Sequence, residues 1–299
     1  MKGSFLNDIF FSRLETLALN LRKDLLGYFG GKHLVSKYGQ TVEFADYREY
    51  QLGDDIRRID WNLYSRFEKY FLKLFTDERQ MQVQVFLDCS ASMGKDNQKK
   101  AAYAVAAVAA MAFLAVHNMD KLTINLMKGE RSENPFGMII GKNAFFRSIS
   151  ELENTAFDEE TFIDKCIMGC PDTSVGNGLS VIVSDFFTDS DWKKAVDYLR
   201  YRKRQVLLVQ ILTPDEDNPA YDGRMNLIDS ESVDISDTKN MKLRITRSMQ
   251  RAYQEALADM KQDIKSFCSK RGADFITVRT DMPIEKVLFG ELLKVGVMS

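Results

Sequence analysis

The sequence predicts an α/β fold in which a mostly parallel sheet is flanked by helices. Two segments, LSVIVSDFF (179–187) and QVLLVQIL (205–212), are nearly continuous apolar runs, which is typical of strands buried on both faces. The helical pattern DWKKAVDYLRYRK separates them. A helix between two buried strands indicates a parallel crossover, and 299 residues are enough to bury such a core.

The elements before this pair follow from the spacing of apolar residues. Leucines at helical spacing predict an N-terminal helix whose apolar face packs on the core; they are Leu14, Leu17, Leu21 and Leu25. The glycines that end this helix are Gly27, Gly30 and Gly31. YFLKLFTDE and QVQVFLD predict two strands, the first an antiparallel edge strand beside the second. Next we expect a helix at about 97–117, a strand at 122–127, a short apolar piece around GMII, and helices near 142–152 and 160–168.

The elements after residue 212 continue the alternation. A polar stretch predicts short strands in NLIDSESVDIS and KLRIT, followed by a helix at 247–271, the strand ADFITV and a final helix at about 284–293. This organisation divides the chain into an N-terminal helical extension (1–36), a segment with an edge strand (37–80), and an α/β domain (81–299) with a small insertion near 214–245 and small β additions. The segment TVEFADYREYQLGDDIRRIDW (41–61) gives no assignable regular structure.

Composition excludes several classes of protein. Lysine and arginine total 41 against 43 acids, so the net charge of −2 gives no broad attraction to nucleic acid or anionic lipid. The four cysteines, which form no CxxC pair, and the lack of any glycosylation sequon favour a reducing, cytoplasmic location. The apolar run 101–116 is shorter than the ~20 residues of a membrane span and predicts a buried core helix.

The stretch VFLDCSASMG contains the most informative chemistry in the chain. Asp88 ends a predicted strand, and Ser90 and Ser92 follow it at alternate positions. Ligands of open α/β sheets gather beyond the carboxyl ends of strands, and a carboxylate with two hydroxyls suits Mg²⁺ or Mn²⁺ better than zinc. Asp185 ends the predicted strand VIVSD, so it is expected at the same edge. The alternative is that these residues cap the following helix.

Enzymatic interpretations fit the sequence poorly. An aspartyl-phosphate phosphoesterase needs a second acid two residues after the first, and that position holds Ser90. GMIIGKN (137–143) lacks the spacing of a phosphate-binding loop and has Asn143 where Ser or Thr would hold magnesium. His33 and His117 are not near a predicted strand end and are interpreted as structural. We therefore expect no catalytic residue.

The DxSxS run of Asp88, Ser90 and Ser92, with Asp185 on a later strand, resembles the metal-ion-dependent adhesion site of von Willebrand factor A-type domains. The upstream text EFADYREYQLGDDIRRIDWNLYSRF resembles the hallmark of the bacterial domain-of-unknown-function family fifty-eight, whose members are von Willebrand A-like. The matching residues are Glu43, Phe44, Arg48, Tyr50, Gly53, Asp54, Asp55, Arg57, Ile59, Asp60, Trp61 and Arg66.

The resemblance implies a Mg²⁺ (or Mn²⁺) ion held by Ser90 and Ser92 directly and by Asp88 and Asp185 directly or through water. It also implies a threonine from an intervening loop, for which Thr161 is the first candidate and Thr155 the second. Such proteins are commonly encoded beside MoxR-type AAA+ ATPases. The implied role is an adaptor in the assembly or activation of client complexes, with a partner's acidic residue completing the metal's shell. The glycines that usually precede the threonine are absent, so a metal-independent scaffold with a vestigial site is the alternative, and a metal-dependent phosphoesterase a more remote one.

The hallmark segment has two interpretations of its own. It could brace the domain, with Trp61 and Ile59 buried and Arg57 or Arg58 paired to acids of the set Asp54, Asp55 and Asp60. Alternatively, its arginine and aromatic residues could form a recognition surface.

Three smaller features have plain structural interpretations. Cys89 occupies a spacer position and is expected to point into the structure, and the Cys166-x3-Cys170 pair consists of ordinary small apolar residues. The run RKRQ (202–205) is expected to be a solvated helix end.

Overall fold

The structure is a computed structural model that describes residues 6, 8–21, 42–77, 81–94, 98–117, 120–171, 178–219, 223–227, 241–245, 247–284 and 290. His33, the glycines expected to end the first helix, and most of the predicted final helix lie outside these residues. The strands are β1 (Val42–Glu49), β2 (Phe71–Asp77), β3 (Gln82–Asp88), β4 (Lys121–Lys128), β5 (Arg131–Glu133), β6 (Gly178–Ser184), β7 (Gln205–Leu212), β8 (Gly223–Leu227), β9 (Met241–Ile245) and β10 (Asp274–Arg279). The α-helices are α1 (Asp8–Leu21), α2 (Trp61–Phe67), α3 (Ala91–Gly94), α4 (Gln98–His117), α5 (Lys142–Leu152), α6 (Ile163–Met168), α7 (Trp192–Tyr201), α8 (Pro214–Asp217) and α9 (Arg247–Arg271).

A six-stranded sheet forms the centre of the molecule, in the order β10-β7-β6-β3-β4-β5. All neighbouring strands are parallel except β4 and β5, which pair antiparallel. Numbered along the chain within this sheet, the order is 3-2-1-4-5-6, that of a doubly wound α/β fold. The prediction of a mostly parallel sheet flanked by helices is confirmed.

Helices cover both faces of this sheet and create two cores. Val85 of β3 enters a core shared with α1, α4 and α5, whereas the next residue, Phe86, enters a core shared with α6, α7 and α9. Among the described residues, α4 is the helix that is long and apolar enough to cross a membrane by length and composition, yet 83% of its 18-residue apolar window is buried inside the molecule. The structure thus uses α4 as a core helix, as the sequence predicts.

The predicted N-terminal helix is present as α1 and packs on α4. Leu14 is fully buried, and the ring of Phe11 lies 5.8 Å from Phe113 and 5.7 Å from Phe145, between centroids. These contacts agree with the expected core-facing stripe. The side chains of the later leucines in that stripe lie outside the described residues.

The predicted pairing of the edge strand is wrong. β2 pairs antiparallel with β1 in a separate two-stranded sheet, and not with β3. The reason is that β4 and β6 occupy both sides of β3, so β3 offers no free edge. The segment for which no regular structure was assignable contains β1, a 3-10 turn at Ile56–Arg58 and the start of α2.

The expectation of a solvated RKRQ helix end is also wrong for Arg204, whose side chain is fully buried. Its Nε donates to Ser180 Oγ at 3.0 Å, and its Nη2 donates to the carbonyl oxygens of Gln82 and Leu179, both at 2.8 Å. Burial lowers the pKa of this guanidinium to about 10. Arg204 therefore ties the starts of β3 and β6 together from within the protein.

Candidate metal centre

The candidate site lies at the carboxyl end of the sheet, between β3 and β6. The chain runs from β3 to β4 on one side and returns to place β6 on the other, so this crevice is the topological switch point of the sheet. Asp88 is the last residue of β3, and Asp185 follows the last residue of β6. The pairing of Leu87 with Val183 brings Asp88 beside Ser184. The sequence expectation that the two strand ends converge is met by this register.

Asp88 is a buried carboxylate with defined hydrogen-bond partners. Its Oδ1 accepts from the backbone N–H of Ser90 at 2.9 Å, and its Oδ2 accepts from the hydroxyl of Ser184 at 2.6 Å. Burial, and secondarily the charge of Asp185, raise the pKa of Asp88 in spite of these bonds. The surroundings of Asp88 therefore disfavour its charged form.

The two motif serines face one another at the start of α3. Their Oγ atoms are 3.1 Å apart, with Ser90 buried and Ser92 half-buried. The Asp88 carboxylate and the Ser90 N–H close a tight Asx turn, which presents both hydroxyls on one loop. Carboxylate and hydroxyl oxygens converge here at the mouth of the switch point.

Asp185 accepts two hydrogen bonds from protein amides and precedes a strained turn. Its Oδ1 accepts from the N–H of Phe187 at 2.9 Å, and its backbone carbonyl accepts from Gln210 Nε2 at 3.0 Å. Phe186 between them has a φ of 60°, which bulky side chains rarely adopt, and its N–H donates to Ser184 Oγ at 2.9 Å. The turn fixes the direction of the carboxylate.

The second oxygen of Asp185 accepts from a lysine that the sequence analysis did not identify. Lys100 of α4 is fully buried, and its Nζ donates to Asp185 Oδ2 at 2.7 Å, to Glu216 Oε1 at 2.7 Å and to the carbonyl of Ser92 at 3.2 Å. Burial alone would lower the pKa of Lys100, but the two carboxylates outweigh it and the pKa is raised. The available signal was a lysine at the start of an otherwise apolar helix.

Glu216 was also missed, although its local pattern was visible. It forms a capping box with Thr213 at the start of α8: Thr213 N–H donates to Glu216 Oε2 at 2.7 Å, and Glu216 N–H donates to Thr213 Oγ1 at 3.1 Å. The box fixes Glu216 independently of Lys100. Ser184, the third missed residue, precedes Asp185 directly.

Thr161 lies close to the end of β3, as expected of the first threonine candidate. Its Oγ1 donates at 3.3 Å to the carbonyl of Met127, which also accepts from the N–H of Cys89 at 3.1 Å. The hydroxyl of Thr188, in the loop after Asp185, donates to the Thr161 carbonyl at 3.2 Å. Thr155, in contrast, bonds through its N–H to the carbonyl of Leu152 in the turn that ends α5. Thr161 is thus the candidate that the described contacts place beside the end of β3, with its hydroxyl bonded to a backbone carbonyl.

The donor chemistry at this edge fits a hard divalent cation. No group of three or more His, Cys, Asp or Glu side chains that could hold a metal ion occurs in the part of the chain that the structure describes. A metal site here therefore depends on hydroxyl oxygens together with Asp88 and Asp185, which suits Mg²⁺ or Mn²⁺ and not zinc. Asp185 and Glu216 both accept from the ammonium of Lys100, whereas the hydrogen bonds described for Asp88 come from a backbone N–H and a hydroxyl.

The cysteines and the described histidine take no part in this centre. All four thiols are free and buried, and burial raises the pKa of Cys89 strongly and that of Cys166 to about 12. His117 stacks on Phe113 with ring centroids 6.0 Å apart. The interpretation of these residues as structural agrees with their surroundings.

The hallmark segment differs from the bracing arrangement predicted for it. Ile59 is buried as expected, but Trp61 is 60% exposed. Asp54 pairs with Arg48 at 2.8 Å, and Asp60 caps α2 and accepts from the Tyr47 hydroxyl at 3.1 Å.

For the predicted arginine pairs, the structure shows that Asp55 accepts the backbone N–H of Arg57 at 3.0 Å in a local turn. The side chain of Arg58 lies outside the described residues. Several large apolar side chains of this segment remain exposed; they are Tyr47, Leu52, Ile56, Trp61 and Phe67.

Comparison with known proteins identifies the family to which this chain is similar. The model of the family described as "Protein of unknown function DUF58" matches residues 46–262. Uncharacterized proteins of Mycobacterium bovis (Mb1516) and Mycobacterium tuberculosis (Rv1480) are each 25% identical over 272 residues, covering 90% of this chain and 84% of theirs.

Two solved structures also match part of this chain. BatB of Bacteroides thetaiotaomicron is 14% identical, with 73% of this chain and all of that chain covered and a TM-score of 0.44. A von Willebrand factor type A protein of Catenulispora acidiphila is 8% identical, with 74% of this chain and 43% of that one covered and a TM-score of 0.39.

Proposed function

We propose, from the premise that this chain belongs to the DUF58 family, that it is a non-catalytic protein interaction module whose binding depends on a divalent metal ion. One observation carries the proposal: Asp88 and Asp185 meet across the switch point of the sheet, beside the facing hydroxyls of Ser90 and Ser92. Ligand sites of doubly wound folds lie at this crevice.

The ion would be Mg²⁺ or Mn²⁺. Ser90, Ser92 and Thr161 would offer hydroxyl oxygens, and Asp88 and Asp185 would offer carboxylates directly or through water. When bound, the ion supplies an open coordination position that a carboxylate of a partner protein can fill. Its role is to hold an interface together, so the chain needs no nucleophile and no general base.

The partner we propose is a MoxR-type AAA+ ATPase, together with a client protein that the pair assembles or activates in the cytoplasm. Support comes from the family resemblance and from the composition, which favours neither nucleic acid nor membrane lipid. The exposed aromatic residues of the hallmark segment, with the exposed guanidiniums of Arg57 and Arg66, have the composition of a protein recognition surface.

A metal-independent scaffold is the second candidate, and Lys100 is the observation that favours it. The ammonium already neutralises one of the two carboxylates that a metal would need. In that case the cluster of Asp88, Ser90 and Ser92 would serve to shape the loop before α4, and partner binding would not respond to metal ions.

Binding to a purified MoxR-type ATPase of the same organism separates the two candidates. We expect binding in the presence of Mg²⁺ that is abolished by EDTA and by Ser92→Ala, a half-buried position where loss of a hydroxyl leaves the fold intact. Ser150→Ala on the exposed face of α5 is the matched control and should bind normally. Equal binding with Mg²⁺ and with EDTA would favour the scaffold, and Mg²⁺-dependent hydrolysis of a phosphate ester would indicate an enzyme.

A further inference from the structure

A fully buried lysine beside two carboxylates is uncommon, because an ammonium loses its hydration when it leaves water. Lys100 has this position, with Asp185 and Glu216 each at 2.7 Å. It is not a remote structural ion pair, since Nζ also donates to the carbonyl of Ser92 within the DxSxS loop. The ammonium therefore sits at the edge of the candidate metal centre.

A divalent ion at Asp185 and the ammonium of Lys100 would compete for the same carboxylate. Both oxygens of Asp185 already accept hydrogen bonds, one from Phe187 N–H and one from Lys100. A divalent ion bound to Asp185 would place two more positive charges next to the ammonium of Lys100. Like charges that share one carboxylate in a buried site repel each other strongly. Metal binding thus requires Lys100 to withdraw from Asp185.

Glu216 offers the place to which Lys100 can withdraw. Its Oε2 is fixed by the Thr213 N–H within the capping box of α8, so its Oε1 stays in position whether or not Lys100 remains on Asp185. The four-carbon stem of lysine allows the ammonium to shift between neighbouring acceptors without moving α4. Glu216 is 28% exposed, so it lies on the outer side of the cluster.

We propose that Lys100 is a resident counter-ion that lowers the affinity of the centre for divalent metal, and that metal binding transfers its ammonium from Asp185 to Glu216 alone. This inference rests on the proposed function, because it concerns the same site. It makes Lys100 and Glu216 determinants of metal affinity although neither is expected to touch the ion. In the absence of metal, Lys100 holds the two carboxylates together and keeps the site closed.

The two variants have opposite expected effects on metal affinity. Lys100→Met removes the competing charge and should tighten Mn²⁺ binding by about tenfold or more. Glu216→Gln removes the acceptor to which the ammonium withdraws and one negative charge, so it should weaken Mn²⁺ binding several-fold. A purely structural role for this ion pair would lower the affinity in both variants, because both would loosen the site.

The experiment titrates metal-stripped protein with Mn²⁺ and follows free Mn²⁺ by electron paramagnetic resonance. Lys193→Met is the matched control, since it deletes a lysine from an exposed ion pair with Asp263 at 2.7 Å and changes the net charge equally. Lys100→Arg retains the cation and should remain within about threefold of the unmodified chain. If Lys100→Met fails to fold, Lys100→Gln, which keeps a hydrogen-bond donor without the charge, takes its place and should also tighten Mn²⁺ binding.

The possible outcomes distinguish the counter-ion role of Lys100 from the proposed metal site itself. Tighter binding by Lys100→Met, weaker binding by Glu216→Gln and an unchanged Lys193→Met support the counter-ion. If the unmodified chain binds Mn²⁺ and Lys100→Met binds it equally or more weakly, the counter-ion role is overturned but the metal site is supported. No Mn²⁺ binding by any folded variant, Lys100→Met included, overturns both.

Discussion

Replacing Asp88 by asparagine should stabilise the metal-free protein while it abolishes the metal site. The amide oxygen can accept the Ser90 N–H, which bonds to Asp88 at 2.9 Å. The amide NH₂ can donate to the Ser184 hydroxyl, which at present donates to Asp88 at 2.6 Å, so this bond would reverse its direction. What is lost is a buried negative charge and its repulsion with Asp185, the two causes that raise the pKa of Asp88. We expect the free energy of unfolding to rise by about 1–2 kcal/mol.

The assay is urea unfolding of both proteins, once with EDTA and once with saturating MgCl₂. Mg²⁺ should raise the stability of the unmodified chain, because a ligand that binds the native state stabilises it, and should leave Asp88→Asn unchanged. Asp263→Asn, at an exposed carboxylate, is the control and should change little. An Asp88→Asn protein that is less stable than the unmodified chain in EDTA would contradict the prediction that the buried charge of Asp88 destabilises the metal-free protein.

Three further predictions concern stability away from the centre. Burial raises the pKa of Asp120 to about 6, so the native state loses stability as this acid ionises between about pH 4 and 6. Asp120→Asn should remove that loss and raise the free energy of unfolding by about 1–2 kcal/mol at neutral pH, as measured by urea unfolding across pH. Gly178→Ala should cost about 2 kcal/mol or more in thermal unfolding, because its new Cβ would lie 2.5 Å from the Gln82 carbonyl oxygen; an unchanged melting temperature would contradict this. In the hallmark segment, Ile59→Ala should lower the free energy of unfolding by about 2–4 kcal/mol, because this side chain is buried. Trp61→Ala, at an exposed side chain, should cost less than about 1 kcal/mol and should instead weaken binding of the ATPase. A large loss of stability in Trp61→Ala would support the bracing role.

The parts of the fold predictable from sequence were those with a strong local pattern. The apolar runs of β6 and β7 identify buried parallel strands, and the carboxyl-end rule places Asp88 and Asp185 at one edge before any coordinates are known. β2 has an equally clear strand pattern, yet its partner could not be predicted. Pairing depends on which strands occupy the two sides of β3, and that is settled by the whole sheet.

The residues missed at the site are those whose role arises from contacts between distant segments. Lys100 and Asp185 are 85 residues apart, and Lys100 and Glu216 are 116 apart, so no local spacing links them. Ser184 acquires its bond to Asp88 only through the register of β3 and β6. The local sequence around Arg204 is typical of a basic helix end. Its guanidinium is buried because it donates to carbonyl oxygens at the starts of β3 and β6, which are distant in sequence.

Metal binding at the switch point is tested most directly by a crystal structure of the protein grown with Mn²⁺, with diffraction recorded on both sides of the manganese absorption edge. We expect one strong anomalous peak between Asp88, Ser90, Ser92 and Asp185, with the ammonium of Lys100 on Glu216. A map without an anomalous peak at this edge of the sheet, with Lys100 still bonded to Asp185 at saturating Mn²⁺, would contradict the metal-dependent module and leave the scaffold as the better description.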